Sequence, residues 1–233
     1  MSMYGLRQKL KDNKLVSVVY YRMDELFSKR MLKRKKANFR KYGIEASKQV
    51  VHCIRESTNI TFFLTFGSLL GIVRDRCFMP HDDDLDFAVV EDENFSWESL
   101  DVAMEKGGFH KKHDFFFRGK VVEATYVDAN DICVDFFLHG VENGRYCVYE
   151  FHRNMGQKYT SPEEHSARQM ILPELIGIRS QNVYGCDYPI PANSEDFLAH
   201  FYGSGWRTPD PDWKENGYNY ADCKELGYLR PSK

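Results

Sequence analysis

No stretch of this sequence approaches the roughly 20 consecutive apolar residues that a membrane-spanning helix requires, which excludes a helix that crosses a bilayer. The opening residues, "MSMYGLRQKLKDNK", lack the apolar core of a signal peptide, so the expected location is the cytoplasm. The six cysteines (Cys53, Cys77, Cys133, Cys147, Cys186, Cys223) include no C-x-x-C pair. That spacing argues against a zinc site and points to reduced thiols. Internal repeats and low-complexity tracts are also missing, which excludes solenoids and arrays.

What is present fits one large domain, or a domain with an appendage, in 233 residues. A hydrophobic fraction of 42% and an aromatic fraction of 15% are ample for a core. The net charge of −2 hides an asymmetry: residues 1–41 hold 13 Lys and Arg against three acids (Asp12, Asp24, Glu25), a balance of +10. The remaining 19 basic and 31 acidic residues give −12. The chain therefore reads as a basic helical arm over residues 1–43 followed by a domain over 44–233. Nucleic acid is not an expected partner, because the rest of the chain is acidic and carries no nucleic-acid module. Leu15, Val18, Val19, Met23, Leu26 and Phe27 recur at helical spacing within the basic arm. Such a helix suits either an anionic membrane surface, making residues 14–41 a peripheral membrane contact at the inner face, or packing on the domain with a solvated basic face.

Helical spacing predicts one or two helices over 14–41 and another over 44–57, where Ile44, Ala46, Val50, Val51 and Ile54 recur. "NITFFLTF" (59–66) reads as a buried strand, "GSLLGIVR" as a turn and short helix, and "LDFAVV" (85–90) as a strand. A helix follows over 96–108, then strands over 115–119, 121–127 and 132–140, and a hairpin through "ENGR" (142–145) into 146–151. A capped helix spans 191–203, with Asn193 or Ser194 at its start and Gly203 at its end. The tail, with Pro209, Pro211 and Pro231, reads as loop. This order indicates an α+β or α/β fold with one mixed sheet, and an α+β sheet flanked by helices is the expectation taken forward.

"GSLLGIVRDRCFMPHDDDLDFAVV" (67–90) puts four acids at positions 82, 83, 84 and 86, at the mouth of an apolar strand. Adjacent carboxylates repel, and burying them is costly unless a positive charge compensates. Strand alternation turns Asp84 and Asp86 to one face and Leu85 and Phe87 to the core. Asp135, between Val134 and Phe136, is a third acid in an apolar strand. If the two strands are neighbours, Asp84, Asp86 and Asp135 converge as oxygen ligands for Mg²⁺ or Mn²⁺, a geometry suited to phosphoryl or nucleotidyl transfer. Upstream, Gly67 permits close backbone approach, Ser68 offers a hydroxyl to a phosphate, and Arg74 offers a neutralising charge. Each feature alone has an ordinary reading: a turn, a solvated acidic loop, a salt-bridge partner. His81 reads as a local hydrogen-bonding residue, and Asp82 and Asp83 as loop residues or an N–H cap. The combination is the specific signal.

That combination resembles the nucleotidyltransferase superfold, and more closely the LicD family of phosphotransferases, of which fukutin and the fukutin-related protein are distant relatives. The family pattern is G-T-L-L-G-x-x-R, a short loop, then P-W-D-D-D-h-D; here Ser68 stands for the Thr and His81 for the Trp. A second segment, "NVYGCDYPIPANSEDFLAHFYGSGWRTPDPD" (182–212), is similar to the family's closing module. The resemblance covers about residues 44–215 and leaves the basic arm outside. It implies a nucleotidyltransferase-like mixed sheet and a cytoplasmic enzyme of capsule, lipopolysaccharide or lipooligosaccharide synthesis. It implies transfer of phosphocholine, or of a polyol phosphate such as glycerol or ribitol phosphate, from a CDP-activated donor to a glycan hydroxyl, with the glycan acceptor often lipid-linked. Asp84, Asp86 and Asp135 are then the catalytic and metal residues, and Gly67, Ser68, Arg74 and His81 the substrate-binding ones. Two alternatives share these residues: a nucleotidyltransferase that attaches an NMP to a small molecule, and a glycan- or nucleotide-binding module without activity.

Overall fold

The computed structural model describes residues 14–154, 157–210, 212–213 and 219–232, with side chains from residue 28 onwards. The opening residues 1–13, and Pro211 in the tail, lie outside the described residues.

Helix α1 runs without a break over Lys14–Ser57. The two helical patterns of the sequence are thus one helix, and Gly43 at their junction does not end it. A Cβ at Gly43 would lie 3.1 Å from the Phe39 ring, so the glycine makes room for a side chain that is buried and meets Phe78 edge-on at 6.0 Å. The helical cost of one glycine, about 1 kcal/mol, is offset by that burial. Ala46, Val50, Val51 and Ile54 bury the inner face of the last turns, as their spacing requires.

The strands are β1 (Phe62–Leu64), β2 (Asp84–Val90), β3 (His110–Phe117), β4 (Lys120–Val127), β5 (Cys133–Glu142), β6 (Arg145–His152), β7 (Glu164–Ile171), β8 (Ile178–Val183), β9 (Cys186–Pro191) and β10 (Tyr220–Pro231). Between them lie helices α2 (Phe66–Leu70), α3 (Trp97–Lys106) and α4 (Ser194–Tyr202) and a π-helical turn, Gly71–Asp75. Eight strands form one sheet in the order β1-β2-β5-β4-β3-β10-β7-β6, and a further β5–β6 pairing closes six of them into a barrel-like ring. β8 and β9 pair separately. The fold is α+β. Among the described residues only β2–β5 is parallel; the α3–β3–β4 segment supplies the crossover that a parallel pair needs. Phe115, Phe117, Val122, Tyr149 and Ala167 form a small cluster of their own, while the larger core lies among β1, β2, β5 and the helices.

Two expectations need correction. The tail contains β10, inserted between β3 and β7. Its register shifts between Asp222 and Leu226, and a bulge of that kind erases the period-two signal. β3 begins at His110, not at residue 115; its first half, "HKKHD", is too polar to announce a strand. The hairpin at 142–145 is as read, with Asn143 and Gly144 both at positive φ (53° and 74°), the backbone of a type I′ turn.

Candidate active site

The parallel pair of β2 and β5 builds the centre. Asp86 stands opposite Asp135, and Asp84 opposite Cys133, with Asp84 and Asp86 on one face of β2. Ligand oxygens of Asp84, Asp86 and Asp135 all lie within 4.8 Å of one another. Ser68 is buried, and its hydroxyl accepts the Asp86 backbone N–H at 2.9 Å. The Thr65 N–H donates to the Asp86 carbonyl at 3.1 Å, so both peptide groups of Asp86 are held by the turn that follows β1. Phe66 in that turn has φ of 42°, a region costly for a side chain with a Cβ. Its ring is fixed against Phe137 at 5.0 Å and Phe201 at 4.8 Å. Gly67 faces the centre: a Cβ there would lie 3.4 Å from Asp86 Oδ2 and 4.0 Å from Asp82 Oδ1.

Negative charge dominates. Burial pushes the Asp84 carboxyl up to about 7, and the charges of Asp135 and Asp83 add to the effect. Burial, then Asp84 and Asp135, hold Asp86 well above the ordinary carboxylate range. Burial also raises Asp135, against the opposing effects of a Thr125 hydrogen bond, Lys35 and Lys112. Asp82 is pushed by burial to about 6, and its Oδ2 is buried without a partner. A set of convergent carboxylate oxygens under mutual repulsion is what a hard divalent cation requires. The residues present therefore fit Mg²⁺ or Mn²⁺.

Several contributors escaped the sequence reading. Thr125, opposite Asp135 on β4, donates its hydroxyl to Asp135 Oδ1 and lies 3.1 Å from His113 Nε2. Burial and the charge of Lys112 lower the His113 pKa, which favours the neutral ring. Glu123 is two residues from Thr125 on the same face of β4 and is held well above its usual range by burial and by Asp135. Two polar residues alternating through "VVEATYV" were the available signal; without the register of β4 against β5 they pointed nowhere. Lys35 of α1 approaches Asp83 Oδ2 at 3.6 Å. Burial acts to lower its pKa, and Cys133, Asp83, Asp84 and Asp135 outweigh that and raise it. Nothing in the basic run around Lys35 distinguished it.

A cavity of about 650 Å³ adjoins the centre, lined among others by Arg74, Met79, His81, Tyr202, Trp206 and Trp213. Met79 links the two, because its Cε would be 3.5 Å from a Cβ at Gly67. Burial raises the Tyr202 hydroxyl's pKa, and the charges of Asp86 and Asp82 add to it. Arg74 is paired with Asp75 at 2.7 Å and reaches the Trp206 carbonyl at 3.5 Å. The structure thus brings Asp84, Asp86 and Asp135 together, places Gly67 and Ser68 against Asp86, and puts Arg74 and His81 in the wall of the adjoining cavity. A smaller cavity of about 220 Å³, lined by Phe117, Arg118, Leu138 and Tyr149 among others, contains no member of the triad.

Residues 59–173 match the family model described as LicD/FKTN/FKRP, nucleotidyltransferase domain. That span holds all three triad carboxylates and ends before the 182–212 segment. An uncharacterized protein of Rickettsia typhi (strain ATCC VR-144 / Wilmington) is 25% identical over 95 residues, 41% of this chain and 28% of that protein. The chain therefore matches little more than a quarter of the length of this curated relative.

Proposed function

We propose, from the premise that residues 59–173 are a LicD-family domain, that this protein moves a phospho-alcohol group from a CDP-activated donor to a glycan hydroxyl in a metal-dependent reaction. Family membership supports a phosphotransferase acting on glycans. The observation that carries the finer reading is the convergence of Asp84, Asp86 and Asp135 within 4.8 Å beside a cavity of about 650 Å³, a volume in the range of small-molecule sites. The nucleotidyltransferase-like reading of the fold rests on the same two strands, β2 and β5.

In the proposed reaction the acceptor oxygen attacks the β-phosphorus of the donor. A new O–P bond forms, the bond from that phosphorus to the bridging oxygen breaks, and CMP leaves with the electron pair. Asp84, Asp86 and Asp135 would hold Mg²⁺ or Mn²⁺, which when bound supplies charge neutralisation for the diphosphate and a lowered pKa at the acceptor hydroxyl. Asp135 takes the acceptor proton, and the Thr125 hydroxyl fixes its Oδ1. Gly67 allows backbone to approach the phosphates. Arg74 and His81 line the donor cavity with Tyr202, Trp206 and Trp213, whose flat apolar faces exclude water and stack a ring or an alcohol moiety. Action at the cytoplasmic face on a lipid-linked glycan belongs to the same proposal; among the described residues no helix is long and apolar enough to cross a membrane.

The test is incubation of the protein and Mg²⁺ with a panel of CDP-alcohols (choline, ethanolamine, glycerol, ribitol), glycan acceptors and detection of CMP. Acceptor-dependent CMP release is expected with one member of the panel. Pyrophosphate release from a nucleoside triphosphate instead would make the protein a nucleotidyltransferase. No turnover with any donor would remove the catalytic reading.

A further inference from the structure

The family match begins at residue 59, yet helix α1 is fastened to the active centre from outside it. Arg40 Nε donates to the Pro80 carbonyl at 2.7 Å, in the loop that enters β2 at Asp84. Asn38 donates to the Asn130 carbonyl at 2.8 Å, and Arg34 pairs with Asp131 at 2.6 Å, both in the loop that enters β5. Two successive turns of the helix thus reach the two loops that precede the triad strands. Phe39, on the turn between these contacts, is buried at 4% exposure.

Lys35 lies among these fasteners and faces the acids. Its Nζ is 3.6 Å from Asp83 Oδ2, beyond hydrogen-bond length. Among the described residues its Nζ has no protein hydrogen-bond acceptor beyond this ion pair, and the side chain keeps 26% exposure. A second ammonium, Lys112 on β3, stands 4.0 Å from Cys133 Sγ, the residue opposite Asp84. Arg74, the cation of the acidic motif's own segment, is already held by both carboxylate oxygens of Asp75 at 2.7–3.0 Å. One divalent cation would offset the triad and only part of a diphosphate's charge, and the remainder would have to be met by side chains. Of the lysines beside the acids, Lys35 is the one that, among the described residues, comes within 4 Å of a carboxylate of the 82–86 cluster, whereas Lys112 meets Cys133.

We propose that Lys35 of helix α1 is a phosphate-binding residue of the active centre, contacting the diphosphate of the substrate. This rests on the phosphotransferase reading above and adds to it the residue that meets the transferred group's charge. It also makes α1 a wall of the site and not an appendage to it.

The experiment titrates the full-length protein by calorimetry with Mn²⁺ alone, with inorganic pyrophosphate plus Mn²⁺, and with CDP plus Mn²⁺. The variants are Lys35→Met, which keeps the stem and removes the charge, and Lys35→Arg. Loss of a charge-assisted contact predicts about tenfold or more weaker binding of pyrophosphate and CDP by Lys35→Met. Mn²⁺ alone should bind as tightly or more tightly, because a like charge has gone, and the melting temperature should stay near wild type. Lys35→Arg should recover most of the phosphate affinity, and in turnover the donor KM should rise more than kcat falls. Unchanged pyrophosphate binding by Lys35→Met would overturn the proposal, as would a parallel loss of Mn²⁺ binding, which would make Lys35 a support of the triad's fold. A wild-type protein that binds no pyrophosphate overturns it too. If pyrophosphate binding depends on Lys35 but no CDP-alcohol is turned over, the donor assignment fails and the phosphate contact stands.

Discussion

Asp86 and Asp135 occupy directly opposed positions across the parallel pair β2–β5, although 48 residues separate them in the chain. Each is flanked along its strand by buried apolar residues: Leu85 and Phe87, and Val134 and Phe136. The pairing forces two carboxylates together in a poorly solvated place, a costly arrangement unless a cation is bound.

Asp84→Asn, Asp86→Asn and Asp135→Asn should each leave a folded protein whose turnover drops by roughly 10²–10³-fold, the scale on which removing one preorganised electrostatic group acts. Without metal, the Asp84 and Asp86 variants should melt slightly above wild type, since repulsion is relieved. About 1 kcal/mol corresponds to about 2–4 °C in a chain of this size. Steady-state kinetics at saturating Mg²⁺ and thermal melts check both halves. Turnover near wild type in any of the three would sink the metal assignment.

The pH dependence of the metal-free protein should carry the same signature. Asp84 is held at about 7, so the folded chain retains a proton that the unfolded chain releases near pH 4. Between those values unfolding releases protons, and stability falls as pH rises. Buried His139, pushed down to about 3, acts oppositely: its contribution is lost as pH falls below about 6.5. Asp84→Asn separates the two. Its stabilising effect should be larger at pH 7.5 than at pH 5, by on the order of 1–2 kcal/mol, and Mg²⁺ should raise the wild-type melting temperature most at the higher pH. An equal effect of the substitution at both pH values would show that Asp84 carries no such charge burden.

Ser68 and Gly67 should part company under mutation. Ser68→Ala strands the buried Asp86 N–H, at a cost of about 1–3 kcal/mol, so the protein should lose several degrees of melting temperature. Gly67→Ala lies within helix α2 and needs no left-handed backbone, so stability should hold or rise by a few tenths of a kcal/mol. Its new methyl group points at Asp86 Oδ2 and should lower turnover by about tenfold or more. A Gly67→Ala enzyme with wild-type kinetics would mean that nothing has to approach that backbone.

The outer face of α1 makes a separate prediction. Arg30 and Lys33 are exposed beside Leu32, itself 43% exposed, and each basic group near an anionic surface adds about 1 kcal/mol at low screening. The full-length protein should co-sediment with anionic liposomes, less so as salt is added. The double charge reversal Arg30→Glu/Lys33→Glu should weaken sedimentation and leave turnover on a soluble acceptor near wild type. Truncation to residue 42 is a poorer test, because it also removes buried Phe39 and the contacts of Arg34, Asn38 and Arg40, and turnover should fall with it. Sedimentation that ignores the charge reversal would leave the face as solvated surface.

What the sequence determined by itself was local. Strand alternation alone places Asp84 and Asp86 on one face of β2, and an acid between Val134 and Phe136 is conspicuous whatever it pairs with. Likewise, the apolar spacing after residue 44 is enough to orient the inner face of α1. What only the tertiary structure decided was registry and reach. Asp135 joins Asp86 because β5 pairs in parallel with β2 at one particular offset, and Thr125 reaches Asp135 because β4 pairs on the other side. A one-residue slip would turn either side chain to the opposite face. β10 was illegible because its bulge breaks the alternation and most of its residues remain exposed. Lys35 was illegible for a different reason. Within a run of like charges no local pattern marks one member, and only the packing of Phe39 and the three loop contacts of its helix bring that ammonium within 3.6 Å of Asp83.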